Sequence, residues 1–173
     1  MHDYRYCWFE HRFLHAGLIA DGDTLVLIDI THGRDDFMAD AASAYGGAET
    51  EAPFRTLMDE LADYVDGKRK TFTTRVRPGG GRFARAVLES TALIPYGQVR
   101  SYADVARAAG SARAVRAAGN ALAQNPFPII IPCHRVVKSG GLLGGFGGGI
   151  AMKRKLLTLE GFAFDGERVF SSP

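Results

Sequence analysis

The stretch Arg77-Pro78-Gly79-Gly80-Gly81 limits what this chain can become. Proline fixes φ and lacks an N–H, and three successive glycines give the backbone no preferred conformation. Neither a helix nor a strand can run through such a segment. A chain of 173 residues broken there is expected to form two small domains, residues 1–78 and 79–173. Charge changes at almost the same place. Residues 1–66 carry 4 Lys and Arg against 14 Asp and Glu, a net of −10, whereas residues 67–173 carry 17 against 5, a net of +12. The overall charge of +2 conceals this division. Only the second half is suited to meet a polyanion.

Composition excludes several classes. Apolar content of 46% and charged content of 23% are those of an ordinary globular protein. Two cysteines, Cys7 and Cys133, are too few for a disulfide framework, and a functional free thiol fits a reducing compartment. Met1-His2-Asp3-Tyr4-Arg5 has no apolar h-region and predicts no signal peptide. The longest uncharged stretch, Ala117 to His134, contains Asn120, Gln124, Asn125 and three prolines, so it is no membrane span. The expected location is the cytoplasm, or the nucleus in a eukaryote.

In the first half, Ala16–Ala20 and Thr24–Ile30 predict two strands joined by a turn at Asp21-Gly22-Asp23. Ala41–Ala52 reads as a loop. Phe54, Leu57, Met58, Leu61 and Val65 have helical spacing over Pro53–Val65, with Gly67 able to end that helix, and Phe72–Val76 reads as a strand. The second half is helical in character. Phe83, Val87, Leu88 and either Leu93 or Ile94 line one face before Pro95. Ser101 and Asp104 form a capping box for a helix ending near Gly110, and Ser111 can cap another from Ala112 to about Gln124. That pair has a helix-turn-helix outline. The second helix is rich in alanine, with Arg113, Arg116 and Asn120 on one face. Small side chains with two arginines suit a minor groove better than the long polar readers of a major groove. Residues 98–138 hold six Lys and Arg and only Asp104 as an acid, which favours DNA over a merely packed helix.

Ile131-Pro132-Cys133-His134-Arg135-Val136-Val137 carries the chemistry. Ile129-Ile130-Ile131 reads as a short buried strand that stops at Pro132 and presents the cysteine rigidly. Arg135 and Lys138 place positive charge nearby, which favours the thiolate. On an extended segment neighbouring side chains point to opposite sides, so His134 is not expected to touch the Cys133 sulfur directly. Between Gly140 and Gly149 lie seven glycines with neither dinucleotide nor Walker spacing, a loop that lets backbone approach a ligand. Lys153, Leu157 and Glu160 share one stripe of a helix from about Ala151 to Leu159.

Pro132-Cys133-His134-Arg135 resembles the active-site signature of the O6-alkylguanine-DNA alkyltransferases. The likeness extends over roughly residues 79–161, with Ile94-Pro95-Tyr96-Gly97, Ser101-Tyr102, Arg116, Asn125-Pro126, Gly148-Gly149, Lys153 and Glu160-Gly161 in matching order. It implies an α+β fold: a ribonuclease-H-like N-terminal domain of antiparallel sheet and helix, and a helical C-terminal domain with a winged-helix-like helix-turn-helix. It implies an irreversible, stoichiometric transfer of an alkyl group from O6-alkylguanine, and from O4-alkylthymine, to the protein's own cysteine. The partner would be double-stranded DNA met by a monomer, with no cofactor. Cys133 would be the nucleophile, joined through water to His134, which Glu160 orients, with Lys153 near the thiol. Tyr102 would help rotate the nucleotide, and Arg116 would enter the stack behind it. Arg113, Ala117, Asn120, Ser101 and Arg135 would join Arg116 against DNA. Asn125 would brace the turn before the active-site strand. Pro128, Phe146, Gly147 and the carbonyls of Cys133 and Val136 would shape the base pocket. Gly147 stands where the family often has serine or alanine, and Val87 where it often has an aromatic residue.

Two rivals use the same residues. A lesion sensor would bind alkylguanine without reacting, but the cysteine would then have no purpose. A cysteine hydrolase would need its base in direct reach of sulfur, which adjacent Cys-His makes awkward. Cys7, His2, His11 and His15 lack zinc-ligand spacing, so no metal is expected.

Overall fold

The computed structural model describes residues 2–171. Met1, Ser172 and Pro173, the outermost residues of the two expected domains, lie outside the described residues. Backbone contacts divide the chain into two compact units between Val76 and Arg77. The architecture is α+β, with sheet concentrated in the first unit and helix in the second.

The N-terminal unit is built on β1 (Tyr4–His11), β2 (Leu14–Asp21) and β3 (Thr24–Asp29), with strand order β3-β2-β1-β4. Two-residue turns start both antiparallel pairings, Arg12-Phe13 between His11 and Leu14, and Gly22-Asp23 between Asp21 and Thr24, and a bulge between Ile19 and Ala20 then shifts the β2–β3 register. β1 escaped the sequence reading although Tyr4, Tyr6, Trp8 and Phe9 are strong strand formers. Helix α1 (Arg34–Tyr45) covers β1 and β2 through Phe37 and Ala41, one turn apart. Gly17 on β2 makes the approach possible, since a Cβ there would lie 2.2 Å from the Phe37 ring. The expected loop from Ala41 is therefore corrected over its first five residues: alanines carry the helix to Gly46, whose left-handed conformation ends it.

β4 (Ala48–Glu49) adds a short parallel edge to β1, and α2 (Arg55–Val65) buries Leu57, Leu61, Tyr64 and Val65. Phe72–Val76 is not a strand. Its backbone is claimed by a side chain instead: buried Glu60 accepts from the N–H and hydroxyl of both Thr73 and Thr74, at 2.6–3.1 Å.

In the C-terminal unit, α3 (Arg82–Ala92) buries Val87 and Leu88, and Ile94 rather than Leu93 completes that face. β5 (Arg100–Ser101) leads directly into α4 (Tyr102–Ala108), which carries the expected Ser101–Asp104 capping box. α5 runs from Val115 to Ala123, three residues shorter at its start than expected. Ser111 does not cap it. Its carbonyl instead closes a turn with the N–H of Ala114, and Arg113 lies in that turn. Helices α3, α4 and α5 pack together. β6 (Val136–Val137) pairs parallel with β5. α6 (Gly149–Leu159) is followed by the hairpin β7 (Phe162–Asp165) and β8 (Arg168–Ser171). Leu157, Phe162 and Val169 join Val137 and Leu143 in one apolar cluster, which fixes α6 against the glycine-rich loop.

Candidate active site

The segment from Asn125 to Arg135 is folded back on itself, and prolines explain why. Pro126, Pro128 and Pro132 remove three N–H donors within seven residues, so no ladder of strand hydrogen bonds can form. The strand expected at Ile129–Ile131 is thereby corrected to a turn. Ile129 has φ +75°, an uncommon left-handed conformation for a β-branched residue, and is fully buried. The N–H of Ile131 donates to the Phe127 carbonyl at 2.8 Å. At Pro132, φ −80° and ψ 63° make an inverse γ-turn, closed by the Cys133 N–H on the Ile131 carbonyl at 2.7 Å. Cys133–Arg135 is then one turn of 3₁₀-helix, so the extended arrangement expected for Cys133 and His134 is absent.

Asn125 ties this turn together. Its amide donates to the Ile131 carbonyl at 2.9 Å and lies 3.2 Å from the Cys133 sulfur, while its oxygen accepts from the Phe127 N–H at 3.0 Å. Cys133 is 9% exposed. Burial pushes its thiol pKa up, and the Asn125 N–H and the charge of Lys153 pull against that. The cation that favours thiolate is thus Lys153, not Arg135 or Lys138.

Lys153 is fully buried on α6 and donates to the carbonyls of Val136 (2.6 Å), Leu143 (2.5 Å) and Gly145 (3.3 Å). Burial lowers its pKa to about 8. One ammonium therefore connects the cysteine turn to the glycine-rich loop. The Val136 carbonyl, expected to face a base, already accepts from this lysine.

Behind the cysteine lies a buried charge network. His134 Nε2 is 2.9 Å from Glu160 Oε1. Arg135 sends its Nε to both Glu160 oxygens at 3.0 and 2.9 Å, and a terminal nitrogen to Oε1 at 2.8 Å. The Gly97 N–H reaches Oε2 at 3.1 Å. Burial alone would oppose ionisation of Glu160, but His134 and Arg135 outweigh it and lower its pKa to about 2. Burial lowers the pKa of His134, so the ring is neutral at pH 7. Arg135 is 5% exposed and locked in this network, which corrects its expected place against DNA: a guanidinium so enclosed cannot reach a phosphate.

In front of the sulfur opens a cavity of about 360 Å³, lined by Tyr102, Gly119, Leu122, Ala123, Cys133, Gly145, Phe146 and Gly147. Tyr102 donates to the Gly145 carbonyl at 3.3 Å, and its ring passes close to Gly144, where a Cβ would stand 3.0 Å away. Burial and the nearby Cys133 raise the pKa of Tyr102, so its phenol keeps its proton. Tyr102, Cys133, Phe146 and Gly147 thus meet as expected. Pro128 is instead buried against Ile131 and is not in the cavity wall. Ser101 spends its hydroxyl on Asp104. On α5, Arg116, Ala117 and Asn120 are exposed, while Gly119, Leu122 and Ala123 face the cavity. Sequence reasoning missed those three wall residues, although Gly119 and Ala123 each lie three positions beyond an exposed residue, Arg116 and Asn120, and Leu122 lies three beyond Gly119. It also assigned no role to Tyr96 and Gly97, which hold the end of α6 through the Leu159 carbonyl and Glu160. Among the described residues, no three His, Cys, Asp or Glu side chains gather as a metal site, and no helix is long and apolar enough to cross a membrane.

Comparison with known proteins gives the chain's relatives. The family described as "6-O-methylguanine DNA methyltransferase, DNA binding domain" matches residues 82–162. A methylated-DNA–protein-cysteine methyltransferase of Methanothermobacter thermautotrophicus is 32% identical over 159 residues, covering 91% of this chain and 85% of that protein. An inducible protein of the same name from Bacillus subtilis is 46% identical over 101 residues, which span 58% of this chain and only 56% of that protein. The crystal structure of Mycobacterium tuberculosis OGT in complex with DNA superimposes with a TM-score of 0.79 at 32% identity, over 90% of this chain and 92% of that one.

Proposed function

The chain belongs to the methylated-DNA–protein-cysteine methyltransferase family, and we propose that it repairs DNA by taking the alkyl group of O6-alkylguanine onto Cys133. The carrying observation is the placement of that sulfur. It lines a cavity large enough for a base, 3.2 Å from the Asn125 amide nitrogen, and the next residue, His134, is paired with Glu160 from 26 residues away.

The reaction runs as follows. The lesion is out of reach inside the duplex, so the nucleotide turns out of the stack at a cost of a few kcal/mol. α5 lies along the minor groove through Arg116, Ala117 and Asn120, and Arg116 fills the gap left by the base. Arg113, in the turn before α5, contacts phosphate. The alkylated guanine enters between Tyr102 and the Gly145-Phe146-Gly147 backbone. Cys133 gives its proton through water to His134, whose other nitrogen is held by Glu160. Sulfur attacks the alkyl carbon, a C–S bond forms and the C–O6 bond breaks. The electron pair passes to the guanine, which takes up one proton, with Tyr102 as the donor at hand. The proton lost by sulfur balances the one gained by the base. The asparagine N–H and the Lys153 charge stabilise the sulfur anion as it forms. O4-alkylthymine fits the same chemistry. The protein acts as a monomer, in the cytoplasm or nucleus, wherever its DNA lies.

DNA carrying a labelled O6-methylguanine tests this. Label should move to the protein up to one equivalent, and mass spectrometry should place it on Cys133. Repeated turnover would establish a hydrolase instead, and binding without transfer would establish a lesion sensor.

A further inference from the structure

The geometry points to Arg135 as a positioning residue for alkyl transfer, acting through Glu160 to keep His134 an oriented, neutral base. This rests on the alkyl-transfer reading above. Arg135 does not line the cavity and is almost wholly buried, yet each of its three guanidinium nitrogens has a partner. One nitrogen donates to the Ile94 carbonyl at 2.7 Å, the others grip Glu160, and the plane lies 5.8 Å from the Tyr96 ring centroid. Both carboxylate oxygens of Glu160 are thereby fixed, with the Gly97 N–H completing the set. The carboxylate cannot rotate, so the His134 ring that hydrogen-bonds to it cannot rotate either.

Charge acts together with this geometry. A buried carboxylate 2.9 Å from an imidazole draws a proton onto that ring. An imidazolium cannot accept the proton of Cys133. The groups that face His134 are Glu160 at the end of α6, Arg135 beside it, Lys153 within α6, Cys133 before it and, across Glu160, the Tyr96 phenol. Of these, Glu160 alone is an anion. Arg135 cancels its charge at hydrogen-bond distance while leaving it free to accept from Nε2. The planar fork matters as much as the charge, because a lysine ammonium would supply one point charge without fixing the carboxylate plane.

The test is single-turnover transfer from a saturating O6-methylguanine oligonucleotide, measured against pH for the wild type, Arg135→Gln and Arg135→Lys. With Gln the cation is lost, His134 becomes more basic, and the acid limb of the profile should move up by about one pH unit. With Lys the limb should stay near the wild-type position while the plateau rate falls, because charge is restored and the fork is not. An unmoved limb in folded Arg135→Gln would overturn the proposal, as would an equal shift in both variants or a wild-type plateau rate for Arg135→Lys. Nitrogen-15 spectra of the His134 ring in the wild-type protein decide the matter even where Arg135→Gln does not fold. A neutral ring protonated on Nε2 at pH 7 is expected, and an imidazolium there refutes the role. Wild-type protein that transfers nothing would refute the alkyl-transfer reading itself, a distinct result.

Discussion

Cys7 and Cys133 occupy two regions that treat the same side chain in opposite ways. Cys7 sits in β1 of the N-terminal unit at 3% exposure, and Cys133 in the C-terminal unit at 9%. Burial raises both thiol pKa values. Around Cys7 nothing offsets it: the carboxylates of Glu51 and Glu49, brought close where β4 pairs with β1, add to the shift and push the pKa to about 12. Around Cys133 an amide N–H and a lysine charge work against burial. A nucleophile is therefore distinguished by what surrounds the sulfur rather than by its exposure. Regular strand pairing leaves Cys7 inert, whereas the proline-broken turn leaves backbone and side-chain donors free to gather at Cys133.

The largest effect expected from this contrast is all-or-none. Cys133→Ser should abolish transfer and keep DNA binding, while Cys7→Ser should transfer label to a full equivalent. Transfer by the first variant, or its loss in the second, would break the comparison. Next comes Asn125→Ala, which takes the side-chain amide donor from the sulfur and leaves only the backbone N–H groups of Cys133 and His134 to oppose burial. Its transfer rate should fall by about a hundredfold, the usual cost of removing one donor to a developing anion, with DNA affinity little changed. Equal rates would show that Asn125 is not the difference between the two thiols.

Arg116→Ala should have a smaller and more selective effect. Transfer from duplex DNA should slow by about tenfold or more, because extrusion of the base loses its support, whereas reaction with free O6-benzylguanine should hardly change. Equal losses on both substrates would place Arg116 in the pocket rather than in the stack.

The smallest effect concerns stability. The folded-state pKa of Glu160 is about 2, below its ordinary 4.5. Its contribution is complete above pH 4.5 and is lost as the pH falls from there toward 2, because the unfolded chain then binds the proton first. Denaturant melts across this window should show wild-type stability falling more steeply with acid than that of Glu160→Gln. Parallel curves would mean that the charged network stabilises no more than its neutral counterpart.

What could be read from sequence depended on how local its cause was. The Ser101–Asp104 cap and the Gly22-Asp23 turn need only a few residues, and both formed as expected. The Lys153, Leu157 and Glu160 stripe was legible for the same reason, and all three are buried. Asp165-Gly166 between the apolar runs Phe162–Phe164 and Val169-Phe170 carries an equally local signal for the β7–β8 hairpin, whose loop is Gly166-Glu167. The errors at the site came from non-local causes. Three isoleucines read as a strand because periodicity cannot register that neighbouring prolines deny them partners. Arg135 read as a DNA contact because a sequence shows its charge but not Glu160 closing around it from 25 residues away.

The inverse γ-turn at Pro132 has a consequence for supply. It fixes the Cys133 backbone, and Asn125, Lys153 and the cavity wall enclose the side chain. An alkylated sulfur in that setting is a thioether, which thiol exchange cannot cleave. Each polypeptide is consumed by one lesion. The repair capacity of a cell is then an inventory of unreacted molecules. It is replenished at the pace of translation, and damage arriving faster than that pace goes uncorrected however quickly each molecule reacts.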